Sequence, residues 1–325
     1  MADVHEVPHG IMFHHFHDGG RHPRQQGSIS GEELEAVLAH VGVGNILDPQ
    51  AWMEKMGRRQ LTAADRCLTF DDGVLCQFDV ALPVLERHGL RAFWFVYSNV
   101  FEGHVGKLEL YRMFRTLCFD DLDDFYAVFF QRVFASALAS AARAVLEEDR
   151  IAQYRASFPF CSVDDVKFRF IRDRALGPEA YERLMDGLIV EYSLDVAEIA
   201  QRLWLSNAHL RQLADHGHLI GLHSYSHPTV LAALPPEEQA EEYRKNFAHI
   251  TAASGQEPVA MAHPCNSYTE QTLDILRRLG IRCGFRSNMV PAGEHGRLNP
   301  TPWEMARQDH ANIMRALVRS QGRGV

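Results

Sequence analysis

Residues 67–98 read CLTFDDGVLCQFDVALPVLERHGLRAFWFVYS. The stretch opens on an apolar run, passes two adjacent carboxylates and a glycine, continues at helical spacing to Gly89, and ends in a second, aromatic-rich apolar run. Strand, helix, strand in that order is a parallel βαβ unit, whose strands are buried on both faces and carry continuous apolar residues. Asp71 and Asp72 stand where the first strand finishes. Two like charges that close raise each other's pKa unless a cation or hydrogen-bond donors hold them.

The same rhythm extends outward. GIMFHHF (10–16), HLIGLHS (218–224), PVAMAHP (258–264) and IRCGFRS (281–287) read as further strands. SISGEELEAVLAHVG (28–42) reads as a helix, with Ser30 as N-cap and Glu33 completing a capping box. NAHLRQLADHG (207–217), PEEQAEEYRKNFAHITAASG (236–255) and YTEQTLDILRRLG (268–280) are helical too. The alternation predicts an α/β fold with an open sheet or barrel, where ligands bind at the carboxyl ends of the strands. Asp71, Asp72, His223, His263, Pro264 and Ser287 would share that rim. Residues from about 104 to 200 break the rhythm and look helical throughout, which predicts an insertion or subdomain. The expected division is a barrel over 1–103 and 201–325 and a helical part over 104–200.

Composition narrows the function classes. The 325 residues carry a formal charge of −9, 46% hydrophobic and 23% charged residues, which is globular and argues against a nucleic-acid binder. No apolar run reaches the length of a membrane span. The beginning, MADVHEVPHG, shows no secretory leader, and six cysteines (67, 76, 118, 161, 265, 283) form no C-x-x-C pair or regular framework. A reduced, cytoplasmic protein is the expectation. The apolar helical stretch FYAVFFQRVFASALASAA (125–142) would suit either a core or the face of a homo-oligomer.

Eighteen histidines fall largely in clusters, among them HSYSH, which sets His223 and His227 four residues apart. On a helical turn that spacing puts both imidazoles on one face. With a carboxylate from another strand end the set becomes two nitrogens and one oxygen, the three-ligand pattern of a catalytic metal site. One of the two aspartates would bind the cation, whose charge permits the other to stay ionised beside it.

LTFDDG with ALPVLERHGLRAFWFV, then LRQLADHGHLIGLHSYSHP, then MAHPCNSYTEQTLDILRRLGIRCGFRS resemble, in order, the three motif regions of the polysaccharide deacetylases, the NodB-homology group of carbohydrate esterase family four. GIMFHHF leading into SISGEELEAVLAHV is similar to the family's first strand and helix. The resemblance covers roughly 1–100 and 203–312. It implies a distorted (β/α) barrel of about seven strands with a helical insertion. It also implies a metal-dependent hydrolase that removes an N-acetyl group from an amino sugar. Asp71 matches the base, and Asp72, His223 and His227 match the metal ligands, usually around zinc. The backbone N–H of Cys265 would hold the oxyanion.

Two departures stand out. The third region reads Ala262–His263–Pro264, without the arginine that braces the base in many members. Arg307, in WEMARQDH, resembles an arginine near the last strand of some relatives and is the candidate brace. No clean Leu-x-His motif marks the general acid. His310 is the candidate by position, with His263, His14 and His15 as rivals. Trp303 and Tyr268 are candidate platforms for a sugar face. A cytoplasmic enzyme would act on a nucleotide-linked, carrier-linked or small glycoside. The same machinery could serve another C–N bond, a formamide or cyclic amide, and a barrel that only binds sugars is a third reading, disfavoured by the spare Asp71.

Overall fold

The computed structural model describes residues 7–292 and 296–321. The first six of the ten residues read for a secretory leader lie outside that range. The chain divides into two compact units, one comprising the residues up to His22, Gly27–His104 and those from Trp204, the other Pro23–Gln26 with Val105–Leu203.

The first unit is built on seven strands: β1 (His9–Phe13), β2 (Arg66–Asp71), β3 (Phe93–Val96), β4 (Leu219–Leu222), β5 (Ala260–Ala262), β6 (Cys283–Phe285) and β7 (Arg307–Asp309). They pair in parallel in the order β6-β5-β4-β3-β2-β1-β7. A parallel bridge from Phe285 to Met305, just ahead of β7, nearly closes the sheet into the expected barrel. β1, β2 and β3 are buried along their whole length, as continuous apolar runs covered on both faces must be. The aromatic run of β3 is core: Phe93, Trp94 and Phe95 are fully buried.

The helices form where the pattern places them. Ser30 caps Gly31–Val41 in a capping box with Glu33, and Thr269 does the same with Thr272 for Glu270–Arg278. Two elements differ from the reading. The stretch 76–89 is not one regular helix, because Gln77–Ala81 is a π turn that precedes the α-helix Leu82–Arg87. The seventh strand carried no apolar signal at all, since its residues are Arg307, Gln308 and Asp309. It is held by its pairing with β1, Gly10 opposite Arg307 and Met12 opposite Asp309.

The second unit contains helices and connecting loops and no strand among its described residues. Its longer helices are Lys107–Cys118, Leu122–Phe134, Glu148–Ser157 and Gly177–Glu191. Its core is aromatic, with Tyr111, Phe114, Phe125, Tyr126, Phe129, Phe168 and Tyr181 packed around Met185 and Leu188.

Candidate metal and catalytic site

Because every strand runs the same way, the residues that follow them collect on one rim of the barrel. Asp72 leaves β2 with φ +75° and Gly73 follows at +65°. A Cβ on Gly73 would stand 2.8 Å from Val96 Cγ1, so both the reversal and the close approach need glycine there. This turn points the Asp72 carboxylate at the two histidines after β4. Its Oδ1 lies 3.4 Å from Nε2 of His223 and 3.4 Å from Nε2 of His227, and those two nitrogens are 3.2 Å apart.

The histidines meet for a different reason from the one the spacing suggested. His223–His227 is not a helical turn but a loop in which Ser224 (φ +63°) and His227 (φ +55°) are both left-handed. The Ser224 hydroxyl accepts the His227 N–H at 3.1 Å and closes it.

Three features of this triad fit a metal. Asp72 Oδ1 is buried and makes no hydrogen bond. The Nδ1–H of His223 donates to the Ala262 carbonyl at 2.9 Å, which leaves the Nε2 lone pair facing the carboxylate, as a ligating imidazole requires. Ligand atoms at about 2.0–2.1 Å from a tetrahedral zinc are about 3.3–3.4 Å from one another, close to the spacings seen. Among the described residues this is the one group of three His, Cys, Asp or Glu side chains whose ligand atoms converge in this way. Burial opposes ionisation of Asp72, yet the imidazoles of His223 and His227 beside it hold its carboxyl well below the usual range.

Asp71, the last residue of β2, is turned to a different partner. Arg307 Nη1 donates to its Oδ1 at 2.6 Å and Nη2 to its Oδ2 at 2.7 Å, a bidentate pair inside the barrel. The guanidinium also donates to Thr69 Oγ1 (3.1 Å) and to the Arg286 carbonyl (2.7 Å). Burial would raise the Asp71 carboxyl, but Arg307 outweighs it and keeps the pKa low. The third motif region offers no arginine, and the guanidinium beside Asp71 comes from β7 instead. Gly10 makes room for it, since a Cβ there would meet Arg307 Cγ at 3.0 Å.

The remaining candidates separate clearly. His14, just after β1, has Nε2 3.8 Å from Asp71 Oδ2 and 4.0 Å from Asp72 Oδ2. His15 is buried, its ring stacked at 6.0 Å from that of His14. His310 does not suit the general-acid role expected of it: its Nδ1 faces the Met12 carbonyl (3.1 Å) and its Nε2 the Gly27 carbonyl (2.9 Å). Both nitrogens are thereby committed to backbone. His263 is buried, donates from Nε2 to the Trp303 carbonyl (2.9 Å), and burial pushes its pKa down to about 3. Such a ring stays neutral and cannot deliver a proton near neutrality. Cys265 is exposed, in a left-handed conformation (φ +49°) after β5.

Trp303 is not a rim platform. Its indole N–H donates to the Ile281 carbonyl, ahead of β6, and Arg277 lies over its ring at 4.7 Å. Tyr268 stacks on His263 at 4.1 Å and donates to Glu304.

Sequence reasoning missed the residues that hold this site in place. Gln77, on the π turn, donates to the carbonyls of Asp71 (2.6 Å) and His14 (2.7 Å). Glu242 and Asn246, one turn apart on Pro236–Ser254, fix the histidine loop. Glu242 accepts the N–H groups of Tyr225 (2.9 Å) and Ser226 (2.8 Å) and the Ser226 hydroxyl (2.7 Å). Asn246 accepts the His223 N–H at 2.9 Å and donates to the Val96 carbonyl. Asn246 left one signal, a polar residue in the buried stripe with Tyr243 and Ile250.

Residues 183–284 match the family described as polysaccharide deacetylase, a span that contains His223 and His227. Three solved structures share the fold over nearly the whole chain. The deacetylase PplD of Streptococcus pyogenes, in complex with acetate, is 15% identical over 94% of this chain and 92% of its own, with a TM-score of 0.54. A de-N-acetylase from Aggregatibacter actinomycetemcomitans is 11% identical over 93% and 94%, with a TM-score of 0.53. IcaB from Ammonifex degensii is 15% identical over 93% and 91%, with a TM-score of 0.51. A comparison with curated proteins finds no match. The partial family match and the shared fold both accord with the resemblance read from the ordered motifs.

Proposed function

We propose that this polysaccharide-deacetylase-type enzyme removes the acetyl group from an N-acetylated amino sugar by metal-assisted hydrolysis. The observation that carries the reading is the division between neighbours: Asp71 is clamped by Arg307, while Asp72 faces His223 and His227 with an unbonded oxygen. The donor set of one carboxylate and two imidazoles suits zinc, which when bound polarises a carbonyl and acidifies a water. Each oxygen of an ionised carboxylate has two lone pairs, so the two Arg307 bonds leave Asp71 able to accept a proton from water. Arg307 keeps it ionised and oriented. His14 is the imidazole within reach of both carboxylates and takes the role of proton donor to the departing amine.

The acetate held by the Streptococcus pyogenes deacetylase, on the same fold, supports an acetyl product. All six cysteines are free thiols, which supports a reducing, cytoplasmic setting. A nucleotide-linked, carrier-linked or small N-acetyl glycoside follows as the substrate. The test is acetate release from free, nucleotide-linked and polymeric N-acetyl sugars, with and without chelation. Release from one class, lost on chelation, supports the proposal. A metal-loaded protein that releases no acetate but hydrolyses a formamide or cyclic amide would reassign the same site to another C–N bond.

A further inference from the structure

The two aromatic platforms read from the sequence are both covered: Arg277 lies over the Trp303 ring, and Tyr268 stacks on His263. A different aromatic residue stands at the metal end of the barrel. Trp204 opens the last segment of the first unit, ahead of the helix Asn207–Asp215. Its backbone pairs antiparallel with Val74, and the Leu205 N–H donates to the Gly73 carbonyl at 2.9 Å. Gly73 and Val74 are the two residues that follow Asp72, so Trp204 is anchored on the rim beside that carboxylate.

The side chain is held as firmly as the backbone. The indole N–H of Trp204 donates to the Tyr97 hydroxyl at 2.6 Å. Tyr97, just past β3, is buried, and its ring lies 5.5 Å from that of His227. One buried tyrosine thus joins the indole to a residue of the triad. With its one N–H bonded, the half-buried indole ring has no polar atom left and shows only apolar surface to solvent. Among the described residues no ring stacks on it and no cation lies over it. Tyr225, between the two histidines in the chain, offers no such face. Its hydroxyl donates to Glu102 at 2.7 Å, and Lys245 lies over its ring at 5.1 Å.

We propose that Trp204 is a wall of the substrate pocket and stacks on the face of the sugar ring that carries the acetamido group. A pyranose is polar around its edge, where hydroxyls project, and apolar on its faces, where C–H groups point. A flat indole fixed in orientation before the sugar arrives meets such a face with little loss of side-chain entropy. Apolar walls with a few aimed polar groups are the usual make-up of a small-molecule site, and here the triad and Asp71 supply the polar part. The inference rests on the deacetylase reading and deepens it, by naming the residue that recognises the sugar ring. Because the rim pairing runs through the backbone, replacing the side chain leaves the bond between Leu205 and Gly73 in place.

Metal-loaded wild type, Trp204→Phe and Trp204→Leu are compared for acetate release from N-acetylglucosamine and N-acetylgalactosamine, each free and as the uridine diphosphate ester. Bound metal and circular dichroism are measured on the same preparations. Trp204→Leu is expected to raise KM about tenfold with kcat and metal content little changed, and Trp204→Phe, which keeps a flat ring, to raise it less. A merely structural tryptophan would lower kcat, metal content or folded fraction and leave KM alone. Tryptophan fluorescence follows sugar binding independently of turnover. Trp52 and Trp94 are fully buried and Trp303 is covered, so a sugar-induced change in wild type should vanish in Trp204→Phe. Acetate release with an unaltered KM in Trp204→Leu, or a fluorescence change that survives in Trp204→Phe, would overturn the inference and leave the deacetylase reading intact. A fluorescence change that depends on Trp204, without acetate release, would do the reverse. Neither signal from any of these sugars would remove both.

Discussion

In the barrel, Arg307 is fully buried and spends its donors on Asp71, Thr69 and the Arg286 carbonyl. In the helical unit, Arg115 is shielded by two aromatic rings and spends none on any described residue. The first arrangement fixes a base. Desolvating two charges costs several kcal/mol each, and the bidentate pair with its extra acceptors offsets that while removing any freedom of the carboxylate. The second leaves its donors to water, since Arg115 is only half-buried and none of its nitrogens is a buried unbonded atom. Full burial together with paired donors is what separates a positioning arginine from one that packs on rings at the surface.

The comparison breaks most sharply at Arg307→Met. The variant strands a buried carboxylate, and a loss of about 3–5 kcal/mol in denaturant-induced unfolding is expected. Without the guanidinium the Asp71 pKa rises, so the acid limb of the pH–rate profile of any surviving activity shifts to higher pH. An unchanged limb would mean that Arg307 does not control the base.

A second test asks whether the histidine loop is held as firmly as the base. Glu242→Ala removes the acceptor for two amides and a hydroxyl, and metal affinity should fall by about 10–100-fold, the usual effect of losing an outer support. Glu242→Gln keeps an acceptor for the amides and should restore most of the affinity. Equal losses in both would point to charge rather than geometry.

Between the two extremes lies a group satisfied in one protonation state only. His218 Nδ1 accepts the Ala92 N–H at 3.1 Å, and burial pushes its pKa down to about 4. The unfolded chain then binds the extra proton first, so this contribution is complete above about pH 6.5 and is lost as pH falls toward 4. At pH 5 the loss is about 2 kcal/mol. His218→Asn keeps an acceptor without the titration, and should shrink the stability difference between pH 7.5 and pH 5 by about that amount. The smallest effect belongs to Arg115→Met, where no hydrogen bond or ion pair with a described residue is lost and the methionine can keep the packing on Phe125 and Phe168. Its unfolding free energy should change by under about 0.5 kcal/mol, and a loss like that of Arg307→Met would show that Arg115 is structural after all.

Much of the site was legible because it is local. Asp71 and Asp72 are adjacent, His223 and His227 are four apart, and each pair ends a strand announced by its apolar run. The ordered motifs did the rest. What stayed hidden joins distant residues through polar contacts that leave no periodic trace. Arg307 was a candidate only through resemblance, because β7 is three polar residues whose pairing with β1 gives no hydrophobic pattern. Gln77 was masked by a helical pattern that does not reveal a π turn. His310 misled by position: it follows β7 on the proper rim, but its ring is committed to the carbonyls of Met12 and Gly27. The contortion at Ser224 and His227 was equally invisible, since neither residue type advertises a positive φ.

The most direct test is to measure bound metal per chain and acetate release in the same preparations of wild type, Asp71→Asn and Asp72→Asn. With the roles assigned here, Asp71→Asn keeps its metal and loses turnover by about 10²–10⁴-fold, while Asp72→Asn loses both. Metal lost from Asp71→Asn, or metal and turnover both retained by Asp72→Asn, would contradict the division of labour between the two adjacent aspartates.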